Sequence, residues 1–242
     1  MKRRVLPVSA FLMTFFSAAI GFASEAVHAD GIQDPTEAYN HLWKEVMIDI
    51  TVIGIIFALI TIYMLIRYRR KSPGQEGRPV KLSTSQVLMW ALIPVFVFVA
   101  DDFFLAAKGW TLWNNVRTPP ANSYEINLES AMWSWNFKYE GGVETVNELR
   151  VPAGRPIVLR MKSRDTIHSL FLPDFRIKED SMPGRITYMW FYPKEPGEHV
   201  LTCAEFCGVL HSNMHGKVIA MPEAEFNKWI QAERKKINKG GA

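Results

Sequence analysis

The chain has 242 residues, 48 % of them hydrophobic, with a formal net charge of +4 and an isoelectric point near 9.0. It contains only two cysteines, which excludes a zinc or iron–sulfur site of four cysteines within one chain. The composition suits a two-span membrane protein, and the basic excess gives no case for nucleic acid as a partner.

Residues 1–29 open with Lys2, Arg3 and Arg4, continue with an uncharged, largely apolar run from Val5 to Ala23, and end in small residues. That is the layout of a secretory signal peptide. Cleavage after Ala23, Ala26 or Ala29 is compatible with it, and an uncleaved anchor helix is the alternative. An exported chain meets an oxidising compartment.

Residues 30–113 read as a transmembrane hairpin. Asp34, Pro35, Thr36 and Glu37 form a helix start, with Asp as cap and Pro at the first helical position. Residues 46–66 are almost wholly apolar, and about 21 positions at 1.5 Å each reach roughly 31 Å, enough for a hydrocarbon core of about 30 Å. Asp49 falls at the headgroup boundary of this span. The loop 67–86 carries Arg67, Arg69, Arg70, Lys71, Arg78 and Lys81 against the single acid Glu76, and short loops of this kind stay in the cytoplasm. A second span covers 87–107, with Trp90 and Pro94 inside it. Asp101 and Asp102 face a protein partner or the outer interface, and Trp110 and Trp113 fall in the interfacial aromatic belt. Both ends of the chain then lie on the outer side.

From residue 114 to 242 the pattern changes to short alternating segments. Tyr124, Ile126 and Leu128 share one parity, and Trp133, Trp135, Phe137 and Tyr139 another, which predicts strands. Further strands are expected at 157–162, 186–192, 198–202 and 217–221, separated by Pro- and Gly-containing turns. Such a series fits an all-β sandwich or Greek-key barrel. A helix over 222–238 closes the chain: Glu223 and Glu225 lie in its first turn, Arg234, Lys235 and Lys236 near its end, and Phe226, Trp229 and Ile230 on one apolar face.

Between the last two strands lies Cys203-Ala-Glu205-Phe-Cys207-Gly-Val-Leu-His211-Ser-Asn-Met214. Thiolate and thioether sulfur select copper, zinc or iron clusters, and imidazole suits copper and zinc. Three residues separate the cysteines, against the two of thioredoxin-type pairs and zinc knuckles. A structural disulfide is the bland reading of the pair. His211 and Met214, four and seven residues beyond Cys207, favour a metal loop.

This loop resembles the dinuclear copper (CuA) loop of cytochrome c oxidase subunit II, Cys-x-Glu-x-Cys-x-x-x-His-x-x-Met. The same family carries a histidine in an Asp-x-x-His-Ser context and a following Pro-Gly-Arg; this chain has Asp165-Thr-Ile-His168-Ser169 and Pro183-Gly184-Arg185. The resemblance implies a cupredoxin-like domain over 114–242 and a hairpin that clamps to the catalytic subunit I of an aa3-like oxidase. It implies two copper ions bridged by Cys203 and Cys207, with His168 and Met214 completing one and His211 and the Glu205 carbonyl the other. The Glu205 carboxylate would reach a magnesium ion shared with subunit I. Trp133, first of the Trp133-Ser134-Trp135 pair, would take electrons from cytochrome c or a similar c-type donor. Dioxygen reduction to water, coupled to proton pumping, would fall to subunit I, among the other oxidase subunits. The implied location is a bacterial cytoplasmic membrane, with the domain on the periplasmic side.

Three departures from the family stand out. Val87 occupies the position of a glutamate at a proton-path entrance in many members, and Ser130-Ala131-Met132 replaces Gly-His-Gln before Trp133. Acidic and basic residues nearly balance beyond residue 111, giving no acidic face for a basic donor. There is no Cys-x-x-Cys-His, so no c-type haem is attached. Alternative readings are a copper-free quinol oxidase subunit II, a membrane-tethered copper carrier or blue-copper protein, and nitrous-oxide reductase, whose similar loop ends a much longer chain.

Overall fold

The computed structural model describes residues 33–77 and 81–240; the expected signal segment 1–29 lies outside them. Two compact units divide these residues, one formed by Asn40–Thr111 and the other by 112–240 together with 33–39.

Two long helices dominate the first unit. Helix α1 spans Pro35–Arg67, and the expected start is present: Asp34 Oδ1 accepts the Thr36 N–H at 2.9 Å, satisfying one of the first turn's free donors. Helix α2 spans Thr84–Arg117. Its start is a capping box, in which Ser83 N–H donates to Gln86 Oε1 (2.9 Å) and Gln86 N–H to Ser83 Oγ (3.3 Å). Both helices outrun the predicted spans, and Trp110 and Trp113 lie on α2 itself, which runs on through Gly109 because no proline interrupts it there. Each helix is long and apolar enough to cross a membrane, and its most apolar window is uncovered by protein. Thr51 and Thr61 return their hydroxyls to the carbonyls four residues back, at 2.6 and 2.8 Å, so they add little polarity to that surface.

The second unit is a sandwich of two five-stranded sheets. Its strands are β1 (Tyr124–Ala131), β2 (Ser134–Lys138), β3 (Glu144–Val146), β4 (Glu148–Pro152), β5 (Ile157–Ser163), β6 (His168–Leu172), β7 (Ile177–Ser181), β8 (Thr187–Phe191), β9 (Gly197–Cys203) and β10 (His215–Met221). One sheet runs β3-β2-β1-β5-β8 and the other β4-β10-β9-β6-β7. The β1–β5 and β4–β10 pairs are parallel, so neighbours distant in sequence meet, as a Greek-key wrapping requires. Ile126, Leu128, Trp135, Phe137, Leu159 and Met161 face Leu149, Val151, Leu170, Leu201, Val218 and Ala220 in one buried core, the inward halves of the alternating strands.

The parity expected for Trp133 does not hold. Trp135 and Phe137 point inward and are fully buried, but Trp133 lies in the turn between β1 and β2 and is only partly covered. Helix α3, Glu223–Gly240, agrees closely with expectation. It buries Phe226 and Ile230, sets Phe226 edge-on to Tyr124 (5.2 Å) and Trp229 edge-on to Tyr139 (5.3 Å), and donates Arg234 Nε and Nη2 to the Glu140 carbonyl. The last turn of α2 is tied to the sandwich in the same unit: Trp190 Nε1 donates to Asn115 O at 3.0 Å and Arg117 pairs with Glu179 at 2.7 Å.

Candidate metal centre

Three neighbouring strands of the second sheet bring the sequence-distant residues together. His168 opens β6, Cys203 ends β9, and Met214 immediately precedes β10. Leu170 lies opposite Cys203 in the β6–β9 register, Ala204 N–H donates to Ser169 O (2.9 Å), and Cys203 N–H donates to Met214 O (3.1 Å). Between Cys203 and β10 the chain makes a tight loop containing a 3-10 turn, His211–Asn213.

The donor atoms converge. Cys203 Sγ and Cys207 Sγ are 3.8 Å apart, and both thiols are free; a disulfide requires about 2.05 Å. Cys207 Sγ lies 3.5 Å from His211 Nδ1 and 3.7 Å from Met214 Sδ. His168 and the two cysteines have ligand atoms within 4.8 Å of one another. The Glu205 carbonyl lies 3.2 Å from Cys203 Sγ, so the backbone oxygen turns towards the centre while the Glu205 side chain belongs to an exposed residue. His168 and Met214 are buried, as is Cys207.

The strongest sign of a missing partner is His168. Its Nε2 is hydrogen-bonded to Asp165 Oδ1 at 2.8 Å, whereas its Nδ1 is buried with no hydrogen-bond partner. An unsatisfied nitrogen in a fully buried ring costs free energy unless something fills its lone pair. Two thiols, a thioether and two imidazoles form a soft to borderline donor set that copper accepts and magnesium or calcium does not. The residues therefore fit a copper centre.

Electrostatics separate the two cysteines. Burial pushes the Cys203 thiol up, but the neighbouring His168 ring and the Ser169 backbone outweigh it and bring the thiol down to about 6. Cys207 is pushed up to about 12 by burial and by the charge on Cys203, since two thiolates this close resist ionising together without a cation between them. Burial works against ionisation of Asp165 too, yet the Met132 N–H, the His168 ring and the Thr166 N–H hold its carboxyl down at about 2. His168 is raised: burial alone would lower it, and the Cys203 sulfur and Asp165 more than offset that.

Trp133 sits beside this cluster. Its Nε1 donates to the Cys207 carbonyl at 3.2 Å, and its ring lies against Gly208, where an added Cβ would come within 3.3 Å of it. Gly208 has φ +115°, a conformation glycine adopts freely. The remaining described histidines stay apart from the donors: His41 faces Glu45, His199 pairs with Asp174, and His215 is exposed on β10. Sequence spacing singled out the loop residues that come together here but not the second grip of Asp165, whose Oδ2 accepts the Met132 N–H at 2.7 Å, nor the bond from Trp133 to Cys207.

Comparison with known proteins agrees with this architecture. Residues 116–221 match the family described as cytochrome c oxidase subunit II, periplasmic domain. Haem-copper oxidase subunit 2 of Aeropyrum pernix is 30 % identical over 210 residues, covering 79 % of this chain and 88 % of that one. Alternative cytochrome c oxidase subunit 2 of Bradyrhizobium diazoefficiens is 25 % identical, covering 81 % of each chain. A quinol oxidase subunit 2 of Bacillus cereus is 27 % identical, over 78 % of this chain and 66 % of that one. The match to the sandwich, the two apolar helices before it, and the extent of the shared sequence lead to one conclusion: the chain belongs to the cytochrome c oxidase subunit II family.

Proposed function

We propose that this chain is the electron-accepting subunit of an aa3-like cytochrome c oxidase, holding a dinuclear copper centre on the periplasmic side of a bacterial cytoplasmic membrane. The observation that carries the reading is the gathering of His168, Cys203, Cys207, His211, Met214 and the Glu205 carbonyl, with the buried His168 Nδ1 unpartnered.

Cys203 and Cys207 would bridge two coppers, His168 and Met214 would complete one, and His211 and the Glu205 carbonyl the other. Bound there, the pair supplies one-electron exchange with its charge shared over both metals. The protein's part is to keep that exchange cheap. Strand ends and a tight loop whose Cys207 is turned inward hold the donors so that they need not move when the charge changes, and no protein ligand position is left open to substrate. Trp133, hydrogen-bonded to the Cys207 carbonyl, is the electron entrance from a c-type cytochrome. Subunit I receives the electrons and reduces dioxygen to water with proton pumping, and the exposed Glu205 carboxylate offers magnesium a hard oxygen ligand at the boundary with subunit I.

Relatives named quinol oxidase subunit 2 belong to the comparison, and a copper-free role is the competing reading. The retained sulfur and imidazole donors favour copper. Copper analysis with electron paramagnetic resonance on the full chain in detergent separates the two. Two coppers per chain sharing one unpaired electron is the expected result; a chain that takes up no copper means the quinol-oxidase role, and one localised copper means a blue-copper or carrier protein.

A further inference from the structure

Asp165 holds two parts of the centre at once. Its Oδ1 accepts from His168 Nε2 (2.8 Å) and the Thr166 N–H (2.7 Å), and receives the Ser163 hydroxyl at 3.3 Å. Its Oδ2 accepts the backbone N–H of Met132 at 2.7 Å, the residue before Trp133. The turn that carries Trp133 is thus gripped on both sides, through Met132 to the carboxylate that orients His168 and through the indole Nε1 to the Cys207 carbonyl.

The chemistry of the two carboxylate oxygens matters. A neutral imidazole carries its proton on one nitrogen, and an acceptor at Nε2 places it there, leaving Nδ1 as a bare lone pair. In this structure that bare Nδ1 is the buried, unpartnered atom beside the cysteines. We infer that Asp165 is a positioning residue: it fixes His168 as an Nδ1 donor and locks the Trp133 turn onto the same frame, so that the metal ligand and the electron entrance keep a constant separation. The inference rests on the copper reading above for its purpose, though not for its geometry.

An asparagine cannot do both jobs. If its oxygen faces His168, its NH2 opposes the Met132 N–H, donor against donor; if it is flipped, the NH2 faces His168 Nε2 and moves the ring proton to Nδ1, the atom a metal needs. Every placement of the amide breaks one grip, which makes Asp165→Asn the informative variant. Asp174→Asn is the control, because Asp174 also holds a histidine, His199 Nδ1 at 2.9 Å, at a site apart from the donor cluster.

The test uses the full chain in detergent, first free of metal, with 15N-labelled histidine; the His168 ring is assigned by its loss in His168→Gln. At alkaline pH the wild-type ring should be the Nε2–H tautomer. In Asp165→Asn either the tautomer ratio or the Met132 amide exchange rate should change by at least about tenfold, the scale of one lost charge-assisted hydrogen bond. Asp165→Ser, which reaches neither partner, should change both and serves if the amide variant does not fold. With copper added, affinity should fall about 10- to 100-fold in Asp165→Asn, as for the loss of other groups that orient metal ligands, with a shifted visible spectrum, while Asp174→Asn matches wild type. An unchanged tautomer ratio together with an unchanged Met132 exchange rate overturns the assignment. A wild-type chain that binds no copper defeats the copper reading instead, and the two metal-free measurements still decide the role of Asp165.

Discussion

Met214 is where the roles of single donors can be pulled apart. It is buried, and its sulfur lies 3.7 Å from Cys207 Sγ. Leucine is close to it in volume, so Met214→Leu removes a soft donor while costing the core less than about 1.5 kcal/mol. If the cysteine pair is the principal clamp, the variant should keep two coppers per chain, with a shifted reduction potential and slower electron exit, read by spectroelectrochemistry and stopped-flow. Loss of both metals would mean that the thiolates alone do not hold the centre. Residues within one loop, such as Cys203, Cys207, His211 and Met214, are legible from spacing because the loop itself fixes how far apart they are. Asp165 and Met132, 33 residues apart, and Trp133 and Cys207, 74 residues apart, meet only because the sheets bring their loops to the same end, and no local pattern encodes that.

At the scale of elements, the sandwich is stitched together near Asn147. This residue has φ +57°, the left-handed region that asparagine tolerates better than most side chains. Its N–H and side-chain Oδ1 both pair with the Trp135 backbone at 2.8 Å, and its carbonyl accepts the Lys217 N–H at 3.0 Å. It thereby joins β2 of one sheet to β10 of the other. The carbonyl can come so near only because residue 216 is glycine: an added Cβ there would lie 2.2 Å from it. Gly216→Ala should therefore destabilise the domain by about 1–3 kcal/mol, the range for overpacking. Gly197→Ala, at the start of β9, meets no atom nearer than 3.6 Å, and by relieving chain entropy should be neutral or stabilising by up to about 1 kcal/mol. Denaturant titrations of the two variants check this, and equal losses would show that the Asn147 carbonyl yields. Alternation announced β1, β2, β5, β8, β9 and β10. It missed the short β3 and β4, as well as β6, where His168, Ser169 and Leu170 are buried in succession, and β7, whose Lys178, Glu179 and Asp180 break any alternation.

For the whole molecule, the arrangement of charge along the chain predicts the side of the membrane that the proposed centre faces. Two spans return the chain to the side it came from; Arg67 ends α1, and Arg69, Arg70 and Lys71 follow it in the loop between the helices. Lys and Arg in short loops are retained in the cytoplasm, so the sandwich should be exported, as the proposed electron-accepting role requires. Alkaline phosphatase, active only after export, should be inactive when fused after Gln75 and active when fused after Lys239. Replacing the four basic residues by glutamine should raise the activity of the Gln75 fusion, since the retention signal is then weakened while the apolar stretches 46–66 and 87–107 are untouched. The reverse pattern, an active Gln75 fusion in the wild-type chain, would put the cysteines in a reducing compartment and out of reach of a periplasmic cytochrome, and the electron-accepting role would fall with it.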